Sequence, residues 1–313
     1  MINKKIGWKI SKNLWERIWE HKAFYCMLLP GIVLTIIFCY VPMYGITLAF
    51  KDFSFRKGIF GSPWCDPLFK NFEVLFALDK FWIALKNTVV INVLKLAFGF
   101  VAPVLLALML NAVRNTRLKK TFQTLVYMPH FVSWVVVAGL VFSLVDFESG
   151  AVTNLIRFLT GKKVDVLSSP SAFLSMLVIT DIWKETGWGA IIYLAALSGI
   201  SAEYYEAAKI DGASIFQQFF YITLRMLMPT VNVMLILRIG GMVSGGFDQI
   251  YNLYNEQVYN VADVLDTFTY RYGIGNGLFS LGTAVSIFAN IINVTIMLTA
   301  NKIIKLCGGE GLY

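Results

Sequence analysis

The sequence predicts an all-α, polytopic membrane protein with six transmembrane helices. Three observations carry that prediction. Of 313 residues, 57% are hydrophobic and 15% charged, where soluble domains carry roughly 45–50% apolar and about 25% charged residues. Six apolar runs approach or exceed the roughly 20 residues that cross a hydrocarbon core as a helix. The runs are continuous rather than alternating, which argues against a β-barrel. A spanning segment must also satisfy its own backbone hydrogen bonds, which selects helix.

Residues 1–23 form a basic segment with Trp8, Trp15 and Trp19 set among Lys and Arg. That pattern predicts an amphipathic helix lying on the cytoplasmic leaflet. Run one covers about Phe24–Ile46. No small-x-small cleavage site follows it, so it is expected to be a retained anchor. Run two, about Ile83–Leu110, carries Lys86 and Lys95, which are expected to snorkel or to face the bundle. Run three is about Thr124–Val145 and run four about Phe173–Leu197. Run five, about Met228–Gly246, contains Gly240, Gly241, Gly245 and Gly246, suited to close helix approach. Run six is about Leu281–Ile304, so that 24–305 is the membrane domain and 306–313 a tail.

Orientation follows from Lys and Arg. Six precede run one and four lie in the short segment after run two. With the N-terminus inside, inner segments hold 14 and outer segments 9, which places both termini in the cytoplasm. The net charge of +8 therefore reports membrane orientation, and no nucleic-acid partner is expected. Cys26, Cys39, Cys65 and Cys307 show no CxxC spacing, so neither a zinc site nor a disulfide framework is indicated. His21 and His130 lack a surrounding ligand motif and are read as structural.

Three outer loops are expected, at 47–82, 146–172 and 247–280, the second as a short helix plus a turn. The long inner loop, 198–227, carries the strongest signal. Ser201 is a suitable N-cap, with Glu203 in the first turn where the helix dipole favours an anion. Ala207 and Ala208 leave a thin helix face, and Asp211-Gly212 is a turn. Ile215, Phe216, Phe219, Phe220 and Thr223 then share one side of a second helix. Two short helices at a turn result. One use for them is insertion into a partner's groove; the other is a plain helical hairpin between spans.

The residue string itself resembles the EAA motif of permease subunits of bacterial ATP-binding-cassette (ABC) importers. Glu206, Ala207, Ala208, Asp211, Gly212, Ala213, Ile222 and Leu224 match that pattern, Arg225 stands where it has proline, and Pro229 matches a second proline. Leu28-Leu29-Pro30-Gly31 and the segment Val41–Phe53 are similar to the polysaccharide and complex-oligosaccharide subset, which includes maltose, alginate and lipoprotein-associated permeases. The resemblance covers about Phe24 to Lys305. It implies a type I importer transmembrane domain that is no enzyme and binds no cofactor directly. The implied partners are a second, different permease, two ATPase subunits carrying ATP and Mg, an extracytoplasmic solute-binding protein and a saccharide, in a bacterial cytoplasmic membrane. Glu206, Ala207, Ala208, Asp211, Gly212 and Ala213 would couple to the ATPase.

Polar groups inside spans are costly and face cavities or other helices. Run four holds Asp181, Trp183, Lys184, Glu185 and Trp188, run five Asn232 and Arg238, run six Asn290 and Asn293. Sugars bind aromatic faces and hydroxyl-bonding groups, so Trp183, Glu185, Trp188, Asn232, Asn290 and Asn293 are the path candidates. The other reading is helix packing, with a Lys184–Asp181 or Arg238–Glu185 pair. Trp134 and Tyr193 are expected in interfacial belts. An ion-gradient-driven secondary transporter is the rival class, for which Asp181 and Glu185 are a weak match without an inverted repeat. An ABC importer for a non-sugar solute is the other. No HExxH, GxSxG or Walker A pattern is present.

Overall fold

A computed structural model describes residues 19–243, 246–306, 308, 309 and 311. The expected amphipathic helix over 1–23, and with it Trp8 and Trp15, lies almost wholly outside these residues. Gly245 and Cys307 are outside them too. The described chain is helical, without strands; an isolated bridge pairs Lys51 with Trp64.

Among the described residues, four helices are long and apolar enough to cross a membrane. These are α1 (Lys22–Phe50), α3 (Asp79–Ala112), α9 (Ile215–Gly240) and α11 (Phe279–Leu306). Between them lie α2 (Lys70–Phe76), α4 (Thr116–Phe131), α5 (Trp134–Val145), α6 (Ala151–Thr160), α7 (Pro170–Ser198), α8 (Ala202–Ile210) and α10 (Phe247–Leu253). Helix α7, 29 residues long, matches run four in length. It is less apolar than the other long helices because Asp181, Lys184 and Glu185 sit in its middle.

Run three departs from the single helix expected. It is α4 and α5, bent by 97° at Val132 and Ser133. Pro129 has no N–H to continue the ladder. Ser133 restarts it, its Oγ accepting from the Val136 N–H at 3.4 Å. Run five also differs. The second helix of the inner loop does not end before the span but continues as α9 through a wide π turn at Phe219–Leu224. Arg225, unlike proline, keeps its N–H, which bonds to the Ile222 carbonyl. Helix α9 stops at Gly240, and Gly246, at φ +93°, starts α10. Gly240 serves packing, since a Cβ there would lie 3.1 Å from Met297.

Helix α7 is the centre of the bundle. Phe173, Met176, Leu177, Asp181, Lys184, Gly187, Ala190, Leu194 and Leu197 are all buried, a repeat of three and four residues that commits one whole face to the interior. It packs along α3, and beyond it against α4, α9 and the outer turns. Helix α1 is the opposite case, its apolar window having no buried residue.

The third outer loop is also more than a loop. Gln249, Ile250, Leu253, Val258, Ala262, Leu265 and Phe268 are buried, and Asn87 of α3 donates to the carbonyls of Asn260 (3.2 Å) and Asp263 (3.1 Å). Burial pushes the Asp263 carboxyl above its usual range, while Thr267 and Arg271, both bonded to it, pull the other way. The second outer loop forms helix α6 and a turn at Gly161 as expected.

Close packing at the break gives the first test. A Cβ on Gly187 would stand 1.8 Å from the Val126 carbonyl oxygen, while Gly139 has open space. Gly187→Ala should cost at least about 1–3 kcal/mol and lower the thermal midpoint of the purified protein, with Gly139→Ala unchanged. Equal midpoints for the two variants would mean that α7 does not seat on α4 this closely.

Candidate functional site

Bending a helix inside a membrane strips carbonyls of their partners, and buried unpaired carbonyls are expensive. Lys184 supplies one partner. Its Nζ donates to the His130 carbonyl at the break, at 2.6 Å. The same ammonium lies 5.5 Å from the Trp134 ring centroid and 3.6 Å from a Glu185 oxygen. Glu185 Oε2 meets His130 Nδ1 at 2.8 Å. The His130 ring stacks on Trp188, with centroids 4.5 Å apart and planes 3° from parallel. His130 is thus structural, as expected, and its particular role is to join the broken span to α7.

A second cluster lies beside it. Lys95 of α3 is 4% exposed, so it does not snorkel but points into the bundle. Its ammonium meets Asp181 Oδ1 at 3.0 Å and also bonds to Gln249 Oε1. Gln249 donates to the Leu177 carbonyl (2.7 Å) and the Thr180 hydroxyl (2.9 Å), anchoring α10 on α7. Arg238 Nη2 reaches Asp181 Oδ2 at 3.4 Å. The ion pairs are therefore Lys95–Asp181, Arg238–Asp181 and Lys184–Glu185, not Lys184–Asp181 or Arg238–Glu185.

These side chains border two cavities of about 410 and 340 Å³. Asp181, Glu185 and Arg238 line both. The larger adds Lys95, Trp134 and Gln249, the smaller Trp188, Tyr193 and Thr186. Both volumes fall in the roughly 300–1,000 Å³ range of small-molecule sites. Of the path candidates, Glu185 and Trp188 line a cavity. Trp183 is half exposed and lines neither. Asn232 is half-buried and Asn290 exposed, both away from the cavities. Asn293 is buried and accepts from the Val243 N–H at 2.8 Å, a packing role at the end of α9. Trp134 and Tyr193 are interior rather than belt residues, Tyr193 being buried. Sequence reasoning had no signal for Gln249, whose partners Lys95, Leu177 and Thr180 are all remote in sequence. Among the described residues no group of three or more His, Cys, Asp or Glu is gathered as metal ligands would be.

At the far end of α7 stands the inner loop. Helix α8 begins at Ser201, whose Oγ accepts from the Glu203 N–H at 3.3 Å. None of its residues is buried. Gly212 closes the turn at φ +77°, a conformation costing other residues roughly 1–2 kcal/mol. Ser214 and Gln217 then form a reciprocal capping box that starts α9. Glu206, Ala207, Asp211 and Gly212 are exposed and Ala208 and Ala213 half-buried. Beside them Ile210, Ile215 and Phe216 are each more than three-quarters exposed.

A charged cleft at the middle of a central helix, with a bare, sharply turned helix beyond that helix's end, is an arrangement suited to a membrane transport subunit. Residues 99–302 match the family of binding-protein-dependent transport system inner membrane components, and the chain belongs to that family. It is 41% identical to the polygalacturonan/rhamnogalacturonan transport system permease protein YteP of Bacillus subtilis, over 96% of this chain and 94% of that one. It is also 41% identical to protein LplB of the same organism, over 93% and 91%. A solved bacterial ABC transporter chain involved in import of the acidic polysaccharide alginate superposes with a TM-score of 0.84, at 39% identity, over 93% and 97%. The alginate transporter in complex with its pentasaccharide-bound periplasmic protein gives 0.85 at 37% identity, over 96% and 99%. The chain is a multi-pass membrane permease subunit, a transport component rather than an enzyme, and the secondary-transporter reading is set aside.

Lys95→Met would leave Asp181 held by Arg238 alone and orphan Gln249 Oε1. Breaking a buried pair on one side costs about 3–5 kcal/mol. The thermal midpoint should fall sharply, and Lys95→Met with Asp181→Asn should recover most of the loss. A single mutant as stable as wild type would show that the pair is not buried.

Proposed function

We propose that the chain forms one half of the translocation path of an ATP-driven importer for an oligosaccharide or polysaccharide. The observation that carries this reading is the pairing, along one helix, of a charged cleft in mid-span with an unburied EAA helix at the end. The saccharide relatives support the substrate. Helices α1, α3, the bent α4–α5, α7, α9 and α11 make six passes over 24–305, with residues 1–23 and 306–313 in the cytoplasm. That topology puts α8 on the ATPase side. The second half of the path is a different permease with its own EAA loop, and two ATPase subunits bind ATP and Mg below. A solute-binding protein delivers the sugar from outside, as the complex of the alginate transporter with its periplasmic protein suggests.

In mechanism, α8 seats in a cleft of the ATPase. Ala207, Ala208 and Gly212 permit close approach, and Glu206 pairs with a basic group or caps an amide there. Closure of the ATPase dimer shifts a two-state equilibrium between inward-open and outward-open bundles. The charged cleft on α7 is remade with each shift because its walls, α3, α7 and α9, belong to the moving bundle.

Affinity purification of the tagged chain from native membranes, with mass spectrometry, tests the assembly. An ATPase and a second permease near equal stoichiometry are expected; the chain alone would overturn the reading. For the coupling loop, Gly212→Trp should leave the amount in the membrane unchanged while uptake falls by at least about tenfold, since the turn is strained by roughly 1–2 kcal/mol and the seat is blocked. Undiminished uptake would remove the coupling role.

A further inference from the structure

We propose that Arg238 is a carboxylate-binding subsite in this path, so that the saccharide carried is an acidic one with uronate groups. This rests on the reading of the chain as a saccharide permease and adds the substrate's charge and the residue that reads it.

The argument is a count of charges at the meeting of the two cavities. Lys95 and Asp181 are nearly fully buried and 3.0 Å apart, so they neutralise one another. Lys184 lies 3.6 Å from Glu185, which is held by His130 as well. Among the described residues of the cleft, one cation remains. Arg238 shares the already neutralised Asp181, at the long distance of 3.4 Å. Its side chain is 47% exposed and lines both cavities. Of the five N–H donors of a guanidinium, one reaches a protein acceptor among the described residues. The carbonyl end of α9 offsets part of its charge through the helix dipole, but presents no carboxylate to it.

An arginine whose fork is mostly unused, facing a roomy cleft with one surplus positive charge, fits a planar anion. A carboxylate takes a guanidinium bidentately. The neighbouring walls suit the rest of a sugar: Trp188, braced by its stack on His130, offers a flat face, and Tyr193 and Thr186 line the same cavity. Glu185, the acid in the cleft that could repel a uronate, is engaged by Lys184 and His130. Asp181 acts as a competitor. It holds Arg238 in place when the cleft is empty and yields it when a stronger, bidentate partner enters. The hold is loose enough for the sugar to move on, which transport requires.

The test is saturation-transfer NMR on the complete importer as it purifies, in nanodiscs, titrated with tetragalacturonate and with the same tetrasaccharide fully methyl-esterified. Wild type should bind the acid about tenfold more tightly, the worth of a charge-assisted hydrogen bond. Arg238→Gln should bring the ratio to about one, and Arg238→Lys, keeping charge but not the fork, should lie between. Asp181→Asn, made together with Lys95→Met so that no buried ammonium is left unpaired, gives the opposite sign, tightening the acid and not the ester, which a damaged fold would not do. An unchanged ratio in Arg238→Gln, or equal weakening of both ligands by the stabilised Lys95→Met, Asp181→Asn variant, overturns the subsite. Wild type that binds the ester as well as the acid overturns it while leaving the saccharide reading intact. Wild type that binds neither, nor neutral maltotetraose, overturns both.

Discussion

Lys184 is the residue on which the arrangement depends. An apolar run that turns through 97° inside the bundle must find donors for the carbonyls it frees. The ammonium of Lys184 is such a donor, aimed at the His130 carbonyl from the middle of α7. A buried ammonium has its own cost unless paired, so Glu185 follows in the next position. Glu185 then needs a second partner, and His130 supplies one from the break itself. Each group answers the need of the one before it, and the chain of needs closes on Trp188, whose ring covers the imidazole.

The result is a polar seam where three parts of the sequence meet. Gly187 is the geometric condition for it. Without a side chain there, α7 lies against the Val126 backbone, close enough for Lys184 to reach across. Asp181, one turn earlier on α7, repeats the device in the other direction, drawing Lys95 from α3 and Arg238 from α9. Gln249 ties the outer helix α10 to the same point. Helix α7 thus gathers the bundle's charges at its middle and runs uninterrupted to Ser198, where the loop to α8 begins. From Glu185 that is about 20 Å at 1.5 Å per residue.

Much of this was legible in the residues, and the parts that were not share a cause. Hydropathy located the four helices that are long and apolar enough to cross a membrane, because burying apolar length in lipid leaves a long signal. In the inner loop Ser201 and the Asp211-Gly212 turn were legible because they act within a few residues, whereas the Ser214–Gln217 cap and the continuation into α9 were not. The break at Val132 was not read, although Pro129 and Ser133 stood in the run, because apolar composition continues across it. The pairings were misread for the same reason in reverse. Lys184 and Asp181 are three apart on one helix, which invites pairing them, yet each takes a partner from another segment. Lys95 and Gln249 lie 154 positions apart, and no local pattern connects them. Likewise Tyr193 and Trp134 look like belt residues by position but are drawn inward by the fold.

The distribution of charge along the spans inverts the usual ranking by hydropathy. Helix α1 is apolar throughout and buries nothing in its apolar window; its side chains need only a greasy surrounding. Helix α7 is too charged to pass as a span by composition, yet it lies deepest. Alone in lipid its three charged side chains would each be costly. Packed, each has a counter-ion or carbonyl: Asp181 takes Lys95 of α3, Lys184 takes the His130 carbonyl of α4, and Glu185 takes the His130 ring. That constraint explains why the polar groups of neighbouring helices converge on the middle of α7. A single central helix can satisfy all of its charges from neighbours on every side, whereas a charge on a peripheral helix such as α1 would have lipid on one flank. The cleft therefore forms at the centre of the bundle, where neighbouring helices can supply a partner to each charge of α7.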